Sequence, residues 1–404
     1  MPMKLLGERI RELRKAKGLT QTELAGAELT KSMLSQIENG KAEPSMKTLR
    51  YLADQLGCEP GYFLEGEEAD LAELVQTVRG LEKQKDYEAV YELLQNRAEV
   101  MRSMNVDAAR LLEMLATACI RLNLEGAEEA VAGAVRIYER FSLYRESTQA
   151  KLRLDLKLVK EERFQEWHEL LQEVRSYYEK HTVAQDILLE LKIYYQEMLS
   201  LLAIGEYEAG QELLLRTLAF SEEHETYYRA DDLYRIAAYH AIAYGDVEAY
   251  ERYTTRSEQY AAFTDSKRSL GSLELVRAFY CNEVKRDHEQ ALRHLESYCR
   301  MLEPIDGLYQ LEKVERGKAL YHLGRIEEAL ESLQDIAIPE GMYHPLDHGW
   351  LRTAGAYRAL CYEKLGQQSQ AVKEIEQTLR EVRKLPSSPY KAFIQETASR
   401  LGAQ

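Results

Sequence analysis

The feature that most constrains the fold is a short turn signature that returns along most of the chain. KDYEA ends at Ala89, EGAEEA at Ala130, GEYEA at Ala209, GDVEA at Ala249, RDHEQA at Ala291, GRIEEA at Ala329 and GQQSQA at Ala371. The alanines are 41, 79, 40, 42, 38 and 42 residues apart. The long interval hides a degenerate unit at KEERFQEW, residues 160–167, which brings the expected number of helical hairpins to about eight. Each interval has room for two helices of about fifteen residues and two turns, the signature of an α-solenoid. A small residue is needed where the second helix of a pair packs closely on the first, and glycine relieves the turn before it.

Composition fits a soluble helical chain. Only eight prolines interrupt 404 residues, and no apolar run approaches the ~18 residues of a membrane span. The N-terminus, MPMKLLGERIRELRK, lacks the apolar core of an export signal, and the five cysteines are scattered, odd in number and never in a C-x-x-C pair. A reduced, cytoplasmic protein is therefore expected, without membrane contact. Net charge is -15, against coating nucleic acid along the whole surface. Residues 1–64 hold ten Lys/Arg and eight Asp/Glu, or +2, which leaves -17 for the remainder. Any DNA contact is thereby confined to the N-terminal stretch.

That stretch centres on Thr20 to Ser45, TQTELAGAELTKSMLSQIENGKAEPS. Thr20 and Glu23 form a T-x-x-E capping box, which starts a helix at Gln21 with Leu24 and Ala25 inward. A second helix, near Lys31 to Asn39, turns Leu34 and Ile37 inward and Lys31, Ser32, Ser35 and Gln36 outward. Gly40 ends it in a left-handed conformation. A first helix is expected over about Leu5 to Lys17, with Leu6, Ile10 and Leu13 inward and Arg14, Lys15 and Lys17 complementing its dipole. Ser45 caps a fourth helix burying Leu49, Leu52, Ala53 and Leu56 before Gly57. A short fifth turn is expected around Tyr62 to Leu64, and the acidic EGEEAD at 65–70 reads as a linker.

The string LTQTELAG…MLSQIENGKAEPSMKTLRYLADQLGC resembles the Cro/C1-type (XRE) helix-turn-helix domain over roughly residues 5–64. Eleven residues separate Ala25 from Ile37, one fewer than in the family's phage repressors, a shortening shared with RNPP (PlcR/NprR-like) peptide-sensing regulators. Counting back from Glu38-Asn39, the resemblance places base reading on Lys31, Ser32 and Gln36, with Thr30 at the helix entrance. It assigns Gln21 to a phosphate, and Asn39 and Lys41 to the DNA backbone. Amides and hydroxyls at a helix N-terminus can position on phosphate, and Gln36 has the groups to pair with an adenine edge.

The repeated turns resemble tetratricopeptide repeats, lengthened from ~34 residues, though HEAT-like pairs share the pattern. The expected fold class is thus all-α: residues 1–64 a small helix-turn-helix domain, 65–70 a linker, and 71–404 a tetratricopeptide-like α-solenoid. In tetratricopeptide proteins the first helix of each pair lines a concave groove. Counting back from each turn puts Lys151, Asp155, Lys192, Tyr195, Arg235, Tyr239, Tyr280, Lys318 and Tyr321 on such a wall. Cations separated by tyrosines suit an extended peptide.

The combined resemblance, to the RNPP quorum-sensing receptors, implies a transcriptional regulator whose repeats bind a short signalling peptide and which works as a homodimer on a two-fold related double-stranded operator. An alternative is a scaffold that docks a protein partner such as a response regulator, with DNA binding used for recruitment. No P-loop, G-x-G-x-x-G or nucleophile elbow is present, so neither catalysis nor a cofactor is expected. His344 and His348 are four apart, but the intervening Pro345 argues for a loop rather than a metal site.

Overall fold

The structure, a computed structural model, describes residues 6–42, 44–58, 62–95, 97, 104–181, 183–243, 245–302 and 309–403. Every regular element among them is helical. The chain forms two compact units, residues 1–154 and 155–404.

The first unit opens with α1 (Leu6–Ala16), α2 (Gln21–Ala25), α3 (Lys31–Glu38) and α4 (Met46–Leu56). The Thr20 capping box forms: Thr20 N–H donates to Glu23 Oε2 at 2.7 Å, and Glu23 N–H to Thr20 Oγ1 at 3.2 Å. Ile10, Leu24, Leu34, Leu52 and Leu56 are wholly buried in one core. Gly7 is required there, because a Cβ at this position would lie 2.1 Å from the Ile37 carbonyl oxygen. Gly26 has φ 55° and ψ -135° and ends α2 where Tyr51 OH donates to the Ala25 carbonyl at 3.2 Å.

Where a short turn was expected, α5 runs Tyr62–Lys83, and the backbone of 65–70 is helical within it. Its first turn contributes Phe63 to the core of α1–α4, and Arg9 donates to the Phe63 carbonyl at 3.0 Å. Further along, Leu71, Leu74, Val75 and Val78 join a second core built with α6 (Tyr87–Gln95), α7 (Val106–Leu122) and α8 (Ala127–Arg140). α9 (Tyr144–Lys151) follows.

After α10 (Leu154–Lys160) and α11 (Phe164–His181), the second unit pairs α12 (Ile187–Ile204) with α13 (Tyr207–Glu223) and α14 (Ala230–Ala243) with α15 (Val247–Phe263). Next come α16 (Lys267–Tyr280) with α17 (His288–Met301), α18 (Tyr309–His322) with α19 (Ile326–Leu333), α20 (Pro345–Lys364) with α21 (Gln368–Val382), and a final α22 (Pro389–Leu401). Between α16 and α17 the helix widens into a π turn, Cys281–Lys285.

Each turn joining such a pair, and the turn between α10 and α11, holds a left-handed residue: Lys85, Asn123, Glu162, Gly205, Gly245, Arg286, Gly324 and Gly366. Only four are glycine; a glycine-based signature is faint at 160–167 because Glu162 takes this place. The buried small residue falls at the fourth position of the following helix: Ala130, Gly210, Ala291, Ala329 and Ala371. In the five-residue signatures the alanine sits one position earlier. Ala89 and Ala249 donate their N–H to the caps Asp86 and Asp246, at 3.0 and 2.9 Å, and Ala209 is exposed.

Candidate functional sites

The outward face of α3 is built by what anchors its inner face. Arg14, expected at the surface, is buried: its Nε donates to Glu38 Oε1 at 2.6 Å, Nη2 to Glu38 Oε2 at 2.9 Å, and Nη1 to the Leu19 carbonyl at 2.7 Å. Burial opposes ionisation of Glu38, but the bonds from Arg14 and Gln21 outweigh it and hold the carboxyl below its ordinary pKa. α1, the turn before α2, and α3 are thus locked by one bidentate pair.

On the opposite face Lys31, Ser32 and Gln36 are exposed, flanked by Met33 at 48 % exposure. Thr30 is the N-cap of α3, its Oγ1 accepting from Met33 N–H at 3.1 Å. Gln21 donates one amide hydrogen to Glu38 Oε2 at 2.8 Å, so part of its side chain is committed inward. Asn39 Nδ2 turns back to the Ser35 carbonyl at 2.7 Å, and Lys41 is exposed. The face offers an ammonium, a hydroxyl, a carboxamide and one apolar thioether, a set that can engage base edges in a major groove.

Within residues 155–404 lies a cavity of about 660 Å³, a size typical of small-ligand sites. Its wall is a connected aromatic cluster. Tyr239 meets Phe279 and Trp350 edge-on at 5.4 and 5.3 Å, Trp350 stacks with Tyr390 at 6.0 Å, and Tyr357 meets Phe393 at 5.0 Å between ring centroids. At one end Lys318, largely buried, pairs with Glu283 and lies 3.5 Å from Glu315. Burial works against its charge, but Glu315 and Glu283 overcome this and raise the ammonium above its ordinary pKa. Glu315, fully buried, also accepts from Asn282 Nδ2 and Trp350 Nε1, each at 2.8 Å. The π turn presents Asn282 to this network and Glu283 to the cavity; Arg286, at φ 56°, follows on the cavity rim.

Of the nine residues expected on a ligand-binding wall, the structure brings Tyr239 and Lys318 to this cavity. Arg235 is paired with Asp232 at 2.8 Å, and Tyr195 lies beneath Arg229, 4.8 Å from ring centroid to guanidinium carbon. Tyr280 is core, stacked on Tyr250 at 3.8 Å. Tyr321 packs edge-on against Tyr357, and Lys192 is half-buried on α12. Lys151 and Asp155 are half-buried and fall in different compact units. Pro345 occupies the first turn of α20, capped by His344, whose Nε2 lies 3.1 Å from the Leu199 carbonyl oxygen. No metal-binding cluster occurs among the described residues.

The helix-turn-helix family model HTH_3 matches residues 10–63. The HTH-type transcriptional regulator DdrOP3 of Deinococcus deserti is 43 % identical over 64 residues, 16 % of this chain and 50 % of its own length. The SPbeta prophage-derived HTH-type transcriptional regulator YonR of Bacillus subtilis is 36 % identical over 74 residues, 18 % of this chain and 68 % of its own length. The chain belongs to the HTH-type transcriptional regulators. It spans half the length of the Deinococcus relative. This regulator is also similar to Bacillus thuringiensis PlcR, solved in complex with the peptide PapR7 and DNA, at 18 % identity and a TM-score of 0.39 over 67 % of this chain and 99 % of PlcR. Similarity to the Streptococcus dysgalactiae pheromone receptor Rgg2 has a TM-score of 0.20 at 14 % identity, over 81 % and 99 % of the two chains.

Sequence reading of the regulator missed Arg14, Met33 and the cavity's far wall. Arg14 and Glu38 are 24 residues apart, with no local pattern to couple them. The aromatic wall draws on α14, α16 and α20 and on α22, which lies beyond the last turn signature, so no single repeat carries its mark.

Proposed function

We propose that this DNA-binding regulator reads its operator through α3 and is controlled by a short peptide held in the helical hairpins. In this reading Lys31, Ser32 and Gln36 contact bases, with Thr30 at the helix entrance and Met33 placed for a thymine methyl group. Gln21, Asn39 and Lys41 position on the DNA backbone. Residues 1–64 act as the DNA-binding part, 65–70 as the connection and 71–404 as the sensing part. The protein acts in the cytoplasm as a homodimer on a two-fold related operator. The observation that carries the sensing half is the aromatic cavity with a charged end, lined by Tyr239 and Lys318.

Operator selection with the full chain, followed by calorimetry over a peptide library and operator binding with and without the best ligand, tests both halves. Lys41→Ala should lower the slope of log affinity against log salt by about one. Gln36→Ala should leave that slope intact and relax preference at one base pair, about 1–3 kcal/mol of discrimination. A ligand that binds without changing operator affinity removes the control. A second reading, docking of a protein partner, is favoured by the exposed rings of Tyr227 and Phe263, 5.9 Å apart; a stoichiometric protein that co-purifies with the chain would support it.

A further inference from the structure

The charge at the cavity's polar end is unevenly available. Lys318 is shared between Glu283 and Glu315, so its ammonium is already matched. Arg286 also lines the cavity and has no ion pair among the described residues. It is exposed, as is His322, whereas Phe279, Trp350 and Tyr357 behind them are buried. The recess therefore has an aromatic interior and a cationic rim. The His322 imidazole is pushed down to about 4, first by the partial burial of its ring against His288 and then by the charges of Lys318 and Arg286 beside it.

We propose that the cavity receives the carboxyl-terminal residue of a peptide, with a large apolar side chain among Tyr239, Phe279, Trp350 and Tyr357 and the terminal carboxylate on Arg286. This rests on the peptide-sensing reading and specifies its ligand. Only a terminal residue bears a carboxylate on the same carbon as its side chain, which matches a cation set beside an aromatic recess. The left-handed backbone at Arg286 follows the π turn, a distortion frequently found where a helix serves a binding site. A guanidinium can grip a carboxylate with two parallel hydrogen bonds, which an amide cannot reciprocate.

The test uses the full chain with Trp167→Phe, which leaves Trp350 as its single tryptophan. Peptides Gly-Ser-Gly-Ser-Gly-X, with X as Phe, Leu, Met, Ser or Lys, are titrated as free acids and as amides, following Trp350 fluorescence and calorimetric heat. The expected result is that free acids ending in Phe, Leu or Met perturb Trp350 and bind roughly tenfold more tightly than their amides, the scale of one charge-assisted contact. Arg286→Asn, which tolerates the left-handed backbone, should bring the acids to the amide level and leave amide affinity unchanged. Peptides that bind equally as acid and amide, or whose preference survives Arg286→Asn, overturn this placement while leaving peptide sensing intact. Absence of calorimetric binding by any peptide, in this set and in the wider library, overturns both.

Discussion

Arg14 shows how far a residue's role can depart from its local pattern. At the end of an amphipathic helix a basic residue ordinarily sits in water and interacts with the helix dipole; here three of its nitrogens are spent on Glu38 and on the Leu19 carbonyl. Removing one partner of a buried pair leaves the other charge uncompensated, so Arg14→Ala should cost about 3–5 kcal/mol. Denaturant unfolding followed by a probe in residues 6–58 would read this, and operator binding should weaken with it. Because the folded Glu38 pKa is depressed, its contribution is present above the unfolded carboxyl value and is lost as pH falls through the folded value. The capping box, the α3 boundaries and Gly40 were legible because each is set by residues within a few positions of one another. Arg14 and the inward hydrogen bond of Gln21 were not, since both depend on Glu38, brought close only by tertiary folding.

Among the elements, the hairpin turns show where pattern reading succeeds and where it slips by one. The recurring alanines mark the turns, but in GEYEA and GRIEEA the same left-handed glycine and cap precede the helix, and the alanine falls third in the first and fourth in the second, about 100° apart around the helix. Ala291 is wholly buried and Ala209 exposed. Enlarging the first should force neighbours apart, so Ala291→Leu is expected to cost about 1–3 kcal/mol. Ala209→Gln should stay within about 0.5 kcal/mol of the parent. Thermal unfolding of the two variants side by side checks the register. A matched loss in both would return the alanine to the packing position at every turn. The left-handed Lys85, Asn123, Glu162 and Arg286 stand where glycine is most easily accommodated, which explains why turn chemistry alone undercounts the hairpins.

For the molecule as a whole, acidity is the simplest external variable. The stacked rings of His288 and His322, 4.6 Å apart, both have lowered pKa values, chiefly from burial. A histidine whose folded pKa lies below its unfolded value takes up its proton more readily once unfolded, so stability falls as pH drops from about 6.5 towards about 4. His322→Gln should flatten this decline between pH 6.5 and 4 while Glu38 continues to titrate lower; unfolding midpoints across that window, read by Trp350 fluorescence, would show it. The charge asymmetry between residues 1–64 and the rest was legible from counting alone, whereas the cavity, assembled from residues 202 to 393, has no counterpart in local periodicity. The π turn at Cys281–Lys285 also carries a lesson in heredity. It behaves as one residue too many in an otherwise regular helix, and losing a single codon there would return the segment to ordinary winding. Arg286 would then be presented from an ordinary helical turn, while the cavity residues on α14, α20 and α22 are set by other parts of the chain. Three nucleotides could thus alter the charged rim of the cavity without touching the aromatic recess behind it.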